Sequence, residues 1–279
     1  MKKLIYALLI VILYASCQSK TTQQDDDTSK IVAPVANAAP ELINTFKPII
    51  NGIWIKKDYI DKISKTKSPY AAKDLAEGIT GMEIKVGSIK DDSLMVLVGW
   101  NNHDAGEMPL KFRKGKRPFT ILLGGNDFGY EIKGKDTLLV LYYAEGNVNQ
   151  TIKFIKAPNL SPDAGLQPGL DKLVNQVIIT GTYILNDSLN VHNKVHFTTD
   201  GKVNGLSNFE LYNLQTDFNS GPMNNMDEIA FDEYKKNQAN FIFLINRDTL
   251  NIYETLANAD SSELVLGTLK YKLVRKQER

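Results

Sequence analysis

The residues of this chain that are best suited to chemistry lie in one short polar segment, residues 100–107. The segment combines an aromatic ring, two amides, an imidazole and two carboxylates, supplied by Trp100, Asn101, Asn102, His103, Asp104 and Glu107. An imidazole beside carboxylates could transfer protons, but no nucleophile or partner base accompanies them, so we expect no enzyme. The segment follows a strand-like run, as the ligand-admitting mouth of a β-barrel does. We therefore predict that Trp100, Asn101 and His103 contact a ligand; a solvated hairpin turn is the alternative.

A histidine pair is the second arrangement with chemical potential. His192 and His196 are four residues apart, and on a helix they would share one face. Asn193 and the β-rich neighbours indicate a turn that enters a strand, along which residues four apart are separated by roughly 13 Å. That spacing is too wide for a single ion. The only cysteine is Cys17, which excludes an internal disulfide and cysteine-rich zinc sites. We expect neither a metal nor a cofactor.

The composition is that of a globular protein and excludes one class of partner. The 279 residues are 43% hydrophobic and 23% charged, with a formal net charge of +1. Nucleic-acid binding calls for a basic face or stripe, and a nearly neutral chain gives no case for it. The length is sufficient for two domains of ordinary size.

The N-terminus carries a signal for membrane attachment. Lys2 and Lys3 precede an apolar run over residues 4–13, and small residues then lead directly to Cys17. This pattern resembles the lipobox of bacterial lipoproteins, which implies removal of a signal peptide, residues 1–16, and acylation of Cys17. The apolar run is too short to span a bilayer comfortably, whereas several acyl chains on one cysteine give durable attachment. A plain secretory peptide or an uncleaved anchor is the alternative.

Residues 17–48 are predicted to form a flexible tether. They are rich in Ser, Thr, Gln and Asp, then in Ala and Pro, and they show no hydrophobic period. The acidic run at residues 25–27 resembles the surface-export signal of some Gram-negative lipoproteins; a solvated linker is the alternative. These resemblances imply a lipid-anchored protein of the outer membrane, on its periplasmic face or at the cell surface.

Residues 49–157 are predicted to form an antiparallel up-and-down β-barrel. About eight short β-branched or aromatic runs follow one another without room for crossover helices, and closing such a meander removes its exposed edges. A helical excursion follows Trp54, because apolar positions 59, 60 and 63 suit one short helix and Ser68-Pro69 suits the start of a second. Besides the run around Ile53, the predicted strands are 82–86, 94–100, 110–112, 119–123, 128–132, 138–143 and 151–155.

A second barrel of the same kind is predicted for residues 176–279, after a linker at 158–175 that is rich in Pro and Gly. Gly181-Thr182-Tyr183 stands where Gly52-Ile53-Trp54 stood, so two copies of one β fold follow each other. The predicted fold class is mainly β, with two consecutive barrels and a helix-turn-helix insertion in the first. The predicted strands of the second half are 195–198, 209–214, 228–231, 241–245, 250–255 and 264–274.

The first half, with Gly52-Ile53-Trp54, a helix pair and a meander, resembles the calycins, the superfamily of lipocalins and fatty-acid-binding proteins. The second half, with Asp200-Gly201-Lys202 in an early hairpin and Arg275 near its end, is similar to lipocalin-like domains of bacterial lipoproteins. The resemblance implies that Trp54, Tyr183 and Arg275 close barrel ends. It also implies that the helix pair covers the first barrel, so that Tyr59, Ile63 and Tyr70 lie over a ligand.

Four Asp-Ser/Thr-Leu triplets resemble the O-glycosylation motif of some Gram-negative phyla. The acceptors would be Ser93, Thr137, Ser188 and Thr249. The competing explanation, which we favour, is that each Asp closes a turn with its own carboxylate and each Leu opens the next strand.

Two functional hypotheses follow from these patterns. In the first, a membrane-anchored lipoprotein binds a small apolar or amphipathic ligand, or an envelope component, inside a barrel. In the second, a non-enzymatic cell-envelope interaction protein has packed barrels, and its loops contact a protein or glycan partner. Barrels of about eight strands allow both, because their interior can be filled by side chains or hold one small ligand.

Overall fold

The structure, a computed structural model, describes residues 38–161, 163–186, 193–218 and 222–277. In these residues the chain forms two consecutive antiparallel β-structures of eight strands each. The predicted fold class, mainly β with two consecutive up-and-down barrels, is confirmed. Residues 38–279 form one compact unit, and both of its hydrophobic cores are built from residues between Leu42 and Leu273.

The first barrel closes because its first strand pairs with both its second and its last strand. Trp54 lies opposite Met82 in one ladder and opposite Lys156 in the other. Closure leaves no unpaired strand edge. The strands are β1 (Gly52–Lys56), β2 (Ile79–Ile84), β3 (Ser93–Trp100), β4 (Asp104–Lys111), β5 (Ile121–Leu123), β6 (Asn126–Lys133), β7 (Asp136–Glu145) and β8 (Val148–Lys156).

The second barrel is nearly closed. Its strands are β9 (Gly181–Leu185), β10 (Asn193–Phe197), β11 (Val203–Asn204), β12 (Tyr212–Leu214), β13 (Glu228–Phe231), β14 (Ala239–Asn246), β15 (Thr249–Ala257) and β16 (Leu264–Arg275). β9 pairs with β10 and β16, and the ladder runs back from β16 to β12. An isolated bridge between Lys202 and Leu211 joins the two edges.

Side chains pack the interior of both barrels. On β3, Leu94, Val96 and Val98 alternate inward with a period of two and are buried in the first core. Aromatic rings dominate the second core, where Phe197 and Tyr212 meet edge to face with 5.1 Å between ring centroids. Each interior is therefore a hydrophobic core built like that of other small globular domains.

Two of the helices precede the first strand of a barrel and pack into that barrel. The helices of the described residues are α1 (Ala39–Ile50), α2 (Lys57–Thr66) and α3 (Leu166–Ile178), with 3-10 turns at Tyr70–Ala76 and Val86–Ser88. α1 immediately precedes β1, and its Phe46 and Ile50 are buried in the first core. α3 immediately precedes β9, and its Val174 and Ile178 are buried in the second core. None of the helices in the described ranges combines the length and hydropathy needed to cross a bilayer.

The two entry helices correct the predicted domain boundaries. The tether was expected to reach residue 48, but α1 begins at Ala39 because its apolar face packs into the barrel. The linker was expected to span 158–175, but α3 occupies that stretch from Leu166 onward. Prolines concealed both helices: Pro40 and Pro168 lie in first turns, where a missing N–H is tolerated.

The predicted lid over the first barrel is wrong. The excursion between β1 and β2 forms α2 and the 3-10 turn, but α2 packs Tyr59, Ile60 and Ile63 against α3, in a hydrophobic cluster that lies outside the first barrel and continues into the second. α1 fills the end of the first barrel instead. The sequence showed that α2 has an apolar face; it did not show which barrel that face would meet.

Candidate functional site

Each barrel begins with the same aromatic plug. The indole Nε1 of Trp54 donates a hydrogen bond of 2.8 Å to the carbonyl of Ile50, four residues earlier. The hydroxyl of Tyr183 donates one of 2.9 Å to the carbonyl of Ile179, again four residues earlier. Both rings are buried. The plugs therefore tie each first strand to the end of its entry helix, which is a structural role.

Arg275 completes the plug of the second barrel. Its guanidinium lies 4.8 Å from the centroid of the Tyr183 ring and donates hydrogen bonds to the carbonyls of Thr180 (2.6 Å) and Ile178 (3.1 Å). Burial raises the pKa of the Tyr183 hydroxyl to about 12, although the Arg275 cation acts in the opposite direction. In the first barrel the corresponding cation is Lys156, 5.6 Å from the Trp54 ring.

The predicted ligand-binding segment 100–107 is a tight hairpin rather than a loop. β4 begins at Asp104, so only Asn101, Asn102 and His103 separate it from β3. Asn101 and Asn102 are the central residues of a turn that is closed by a hydrogen bond from the His103 N–H to the Trp100 carbonyl (3.0 Å), and both adopt positive φ, 55° and 53°. Trp100, the last residue of β3, packs against the first core. The hairpin turn given above as the alternative is present, and ligand contact by Trp100, Asn101 and His103 stays a prediction.

This hairpin joins the two barrels. The side-chain amide of Asn102 donates to the carbonyl of Thr216 (3.2 Å), and His103 Nδ1 lies 2.5 Å from Asp217 Oδ2. Hydrogen bonding to Asp217, and then its charge, raises the pKa of His103. We call this contact between the first half and residues 216–218 the seam.

The other residues predicted to bind a ligand also lie at or beside the seam. The Tyr70 backbone N–H donates to Asp227 Oδ1 (2.7 Å), and its ring meets Phe218 with 5.5 Å between centroids. Tyr59 and Ile63 are fully buried. The Tyr59 hydroxyl faces the Asn102 side chain, and burial raises the pKa of this hydroxyl. The structure thus brings these residues together as a joint between domains, not as the wall of a hollow barrel.

A groove of about 450 Å³ lies between α3 and the rim of the second barrel. Its lining includes three carboxylates and one ammonium group, from Asp171, Asp200, Glu233 and Lys172. Lys172 and Asp200 form an ion pair at 3.0 Å. The remaining two carboxylates, on α3 and on the turn after β13, leave the groove with an acidic character.

Asp171 is the most perturbed acid of this groove. Burial raises the pKa of its carboxyl to about 6, and the charge of Glu233 acts in the same direction. Gln167 Nε2 donates a hydrogen bond of 2.7 Å to Asp171 Oδ1, which favours the ionised form. The Asp171 carboxylate would gain most from a cation, because it is held away from bulk water and no described residue forms an ion pair with it.

The walls of the groove are fixed and its rim is aromatic. Asn175 is buried and donates to the carbonyl of Thr199 (3.2 Å), and Asn213 donates to Glu233 Oε2 (3.0 Å). At the rim, the Tyr234 side chain is 91% exposed. Two carboxylates held by hydrogen bonds in one groove with an exposed aromatic ring suit a guanidinium or ammonium group, since the ring face attracts cations as well.

Sequence reasoning missed this groove. Asp171 fell in the predicted linker, and Glu233 and Tyr234 fell between two predicted strands. The available signal was the amphipathic pattern of α3. Asp171 is a charged residue directly beside the apolar face, and such a residue lies at the edge of the buried surface of a helix.

No group of three or more potential metal ligands occurs in the part of the chain that the structure describes. His196 lies on β10 with its Nδ1 3.1 Å from the Thr182 hydroxyl, and His192 lies outside the described residues.

The described Asp-Ser/Thr-Leu triplets all lie at strand starts. Ser93 begins β3, Asp136-Thr137 begins β7 and Thr249 begins β15. The turn explanation fits these positions, while Ser188 and Cys17 lie outside the described residues.

Comparison with known proteins adds no assignment to this geometry. No protein-family model, curated protein or solved structure matches the chain.

Proposed function

We propose that this protein is a non-enzymatic interaction protein of the cell envelope, anchored to the outer membrane through Cys17. Its groove between α3 and the second barrel holds a basic side chain of a partner protein. The single observation that carries the proposal is the acidic groove itself, whose lining holds Asp171, Glu233 and the exposed Tyr234. A cation placed there would satisfy a partly buried carboxylate that has no ion-pair partner among the described residues.

The packed barrels support this choice between the two hypotheses. A carrier needs an empty space of several hundred cubic ångströms inside a barrel. Here the inward side chains of β3, the α1 residues Phe46 and Ile50, and the aromatic rings of the second barrel take up the interiors. The outer grooves are the places left for a partner.

The tether allows the groove to meet partners away from the membrane. The 20 residues from Gln18 to Asn37 separate the proposed anchor from the compact unit. Fully extended, such a segment spans roughly 70 Å. A lipid anchor on Cys17 therefore leaves the groove free to face another envelope protein.

The proposal can be tested with a cation and its neutral isostere. Acetyl-arginine amide, titrated into residues 38–279, should shift the NMR signals of Asn175 and Tyr234 in a saturable way, whereas acetyl-citrulline amide should not. Binding should strengthen as the pH rises through about 6, because Asp171 then ionises. The double substitution Asp171→Asn and Glu233→Gln should abolish it. Equal shifts from both probes, or binding that survives the double substitution, would contradict the proposal.

The anchor has its own test. Cells grown with a labelled fatty acid should incorporate the label into the full chain, and Cys17→Ser should remove it. A labelled Cys17→Ser chain, or an unlabelled wild-type chain, would contradict the lipoprotein proposal without bearing on the groove.

A further inference from the structure

A basic segment of the first barrel stands apart from the groove. Five of the seven residues from 111 to 117 are basic: Lys111, Arg113, Lys114, Lys116 and Arg117. All five are exposed, while Phe112 between them is buried in the first core and fixes the segment to the barrel. The small net charge of the chain hid this local concentration of positive charge.

Most of this charge is not neutralised by the protein. Arg113 pairs with Asp92 at 3.0 Å, and Arg117 lies 3.9 Å from Asp127. Lys111, Lys114 and Lys116 form no ion pair with any residue in the described ranges. Three ammonium groups are thus available to an external anion.

The backbone that presents these side chains is held in place. The Asp127 carboxylate accepts hydrogen bonds from the backbone N–H groups of Lys116 (2.8 Å) and Arg117 (3.0 Å). Gly115 N–H donates to the carbonyl of Thr120 (3.0 Å). A Cβ on Gly115 would lie only 2.2 Å from Asp127 Oδ1, so the close approach needs glycine. The segment is a built surface, because its turns are tied to β6.

An aromatic side chain projects from the end of this segment. Phe119 is 91% exposed and has φ at 56°, in the left-handed region that bulky residues rarely adopt. That conformation costs about 1–2 kcal/mol for a residue with a Cβ. The ring gains almost no burial within the protein and is free to contact an external surface.

The segment lies beside the end of the barrel where β7 turns into β8. Lys116 and Arg117 line the same surface hollow as Ala144 and Asn149, and the Arg117 guanidinium lies 4.2 Å from the centroid of the Tyr142 ring. Lys116 and Arg117 are therefore displayed at the surface beside this turn.

We propose that residues 111–119 dock onto a membrane surface that contains anionic lipids. The lysine ammonium groups would contact lipid phosphates, and Phe119 would enter the interface, where aromatic rings are favoured. A basic surface on a lipid-anchored protein provides the second attachment signal that holds such a protein to a membrane. This role rests on the proposed anchor, but the basic surface does not depend on the groove.

The test is flotation of residues 38–279, which lack the anchor, with vesicles. Vesicles of phosphatidylcholine with phosphatidylglycerol should bind the protein, and vesicles of phosphatidylcholine alone should not. Lys114→Gln with Lys116→Gln should weaken binding roughly 30-fold, because each basic side chain near an anionic surface contributes about fivefold. Phe119→Ser should weaken it several-fold, and added NaCl should weaken wild-type binding.

Matched variants control for net charge and for loss of an exposed apolar side chain. Lys62→Gln with Lys65→Gln removes the same charge from exposed positions of α2, and Leu256→Ser removes an apolar side chain of β15 that is 51% exposed. Both should float like the wild type. Equal binding to neutral vesicles, or equal losses in test and control variants, would overturn the proposal. Tight binding to heparin or duplex DNA without flotation would assign the surface to a soluble polyanion and overturn it as well.

Discussion

At the scale of single residues, Arg275 links three parts of the second barrel. It lies at the end of β16, covers the Tyr183 ring of β9 and caps carbonyls at the end of α3. We predict that Arg275→Met lowers the free energy of unfolding by about 2–3 kcal/mol, because buried carbonyls lose charged hydrogen-bond donors. Urea unfolding monitored by circular dichroism measures this change.

Lys156→Met is the internal control for Arg275. Lys156 is exposed and contacts its plug residue Trp54 only at 5.6 Å. The loss should stay below about 1 kcal/mol, as for other exposed cation–π contacts. If Lys156→Met lowered the free energy of unfolding as much as Arg275→Met does, the hydrogen bonds from Arg275 to α3 would not account for the effect of Arg275→Met.

Asp171 makes stability depend on pH. Its pKa is raised from an ordinary value of 3.8 to about 6 in the folded protein, so the folded state binds the proton more tightly than the unfolded chain. The resulting stabilisation is fully present below the unfolded pKa and is lost as the pH rises through the folded pKa. Asp171→Asn should therefore gain stability relative to the wild type between pH 4 and 7, by on the order of 2 kcal/mol. A constant difference in urea midpoints across this range would contradict the assignment.

At the scale of secondary-structure elements, the strands were predictable and the helix packing was not. Runs such as 94–100 and 228–231 alternate or end at turn residues, and they coincide with β3 and β13. α1 was missed because Pro40 and Pro48 and an Ala-rich start looked like a tether. The apolar face of α2 was recognised. Which part of the protein that face packs against depends on contacts between residues distant in sequence, and a local hydrophobic period does not encode those contacts.

Gly169 sets the distance between α3 and the first barrel. A Cβ at this position would lie 2.4 Å from Cγ2 of Ile53, which is itself buried and β-branched. Gly169→Ala would gain about 1 kcal/mol in helix propensity but lose more to overpacking, so we expect net destabilisation of about 1–2 kcal/mol. Gly87→Ala, where a Cβ would meet nothing within 4 Å, should be nearly neutral in the same urea unfolding experiment.

At the scale of the whole molecule, the candidate site depends on the assembly of the two halves. The repeat of Gly-x-aromatic starts predicted two barrels, and the structure has them. The groove needs α3 beside the second barrel, and the seam needs the β3–β4 turn beside residues 216–218. Neither could be predicted from the sequence, because each joins residues separated by long stretches of chain and neither carries a local motif.

The shared helices predict that the two barrels unfold together. α3 packs its Gly169 against Ile53 of the first barrel while its Val174 lies in the second core, and α2 packs against α3 in the same hydrophobic cluster. Separating the halves would expose Tyr59 and Ile63, which are fully buried now. We therefore expect a single urea transition for residues 38–279, with far- and near-ultraviolet circular dichroism coinciding. Residues 38–157 alone should bind a hydrophobic dye or associate, because they present the apolar face of α2 to water. Two separate transitions, or a monomeric and dye-free fragment, would mean that the barrels are independent and that α3 only touches the first one.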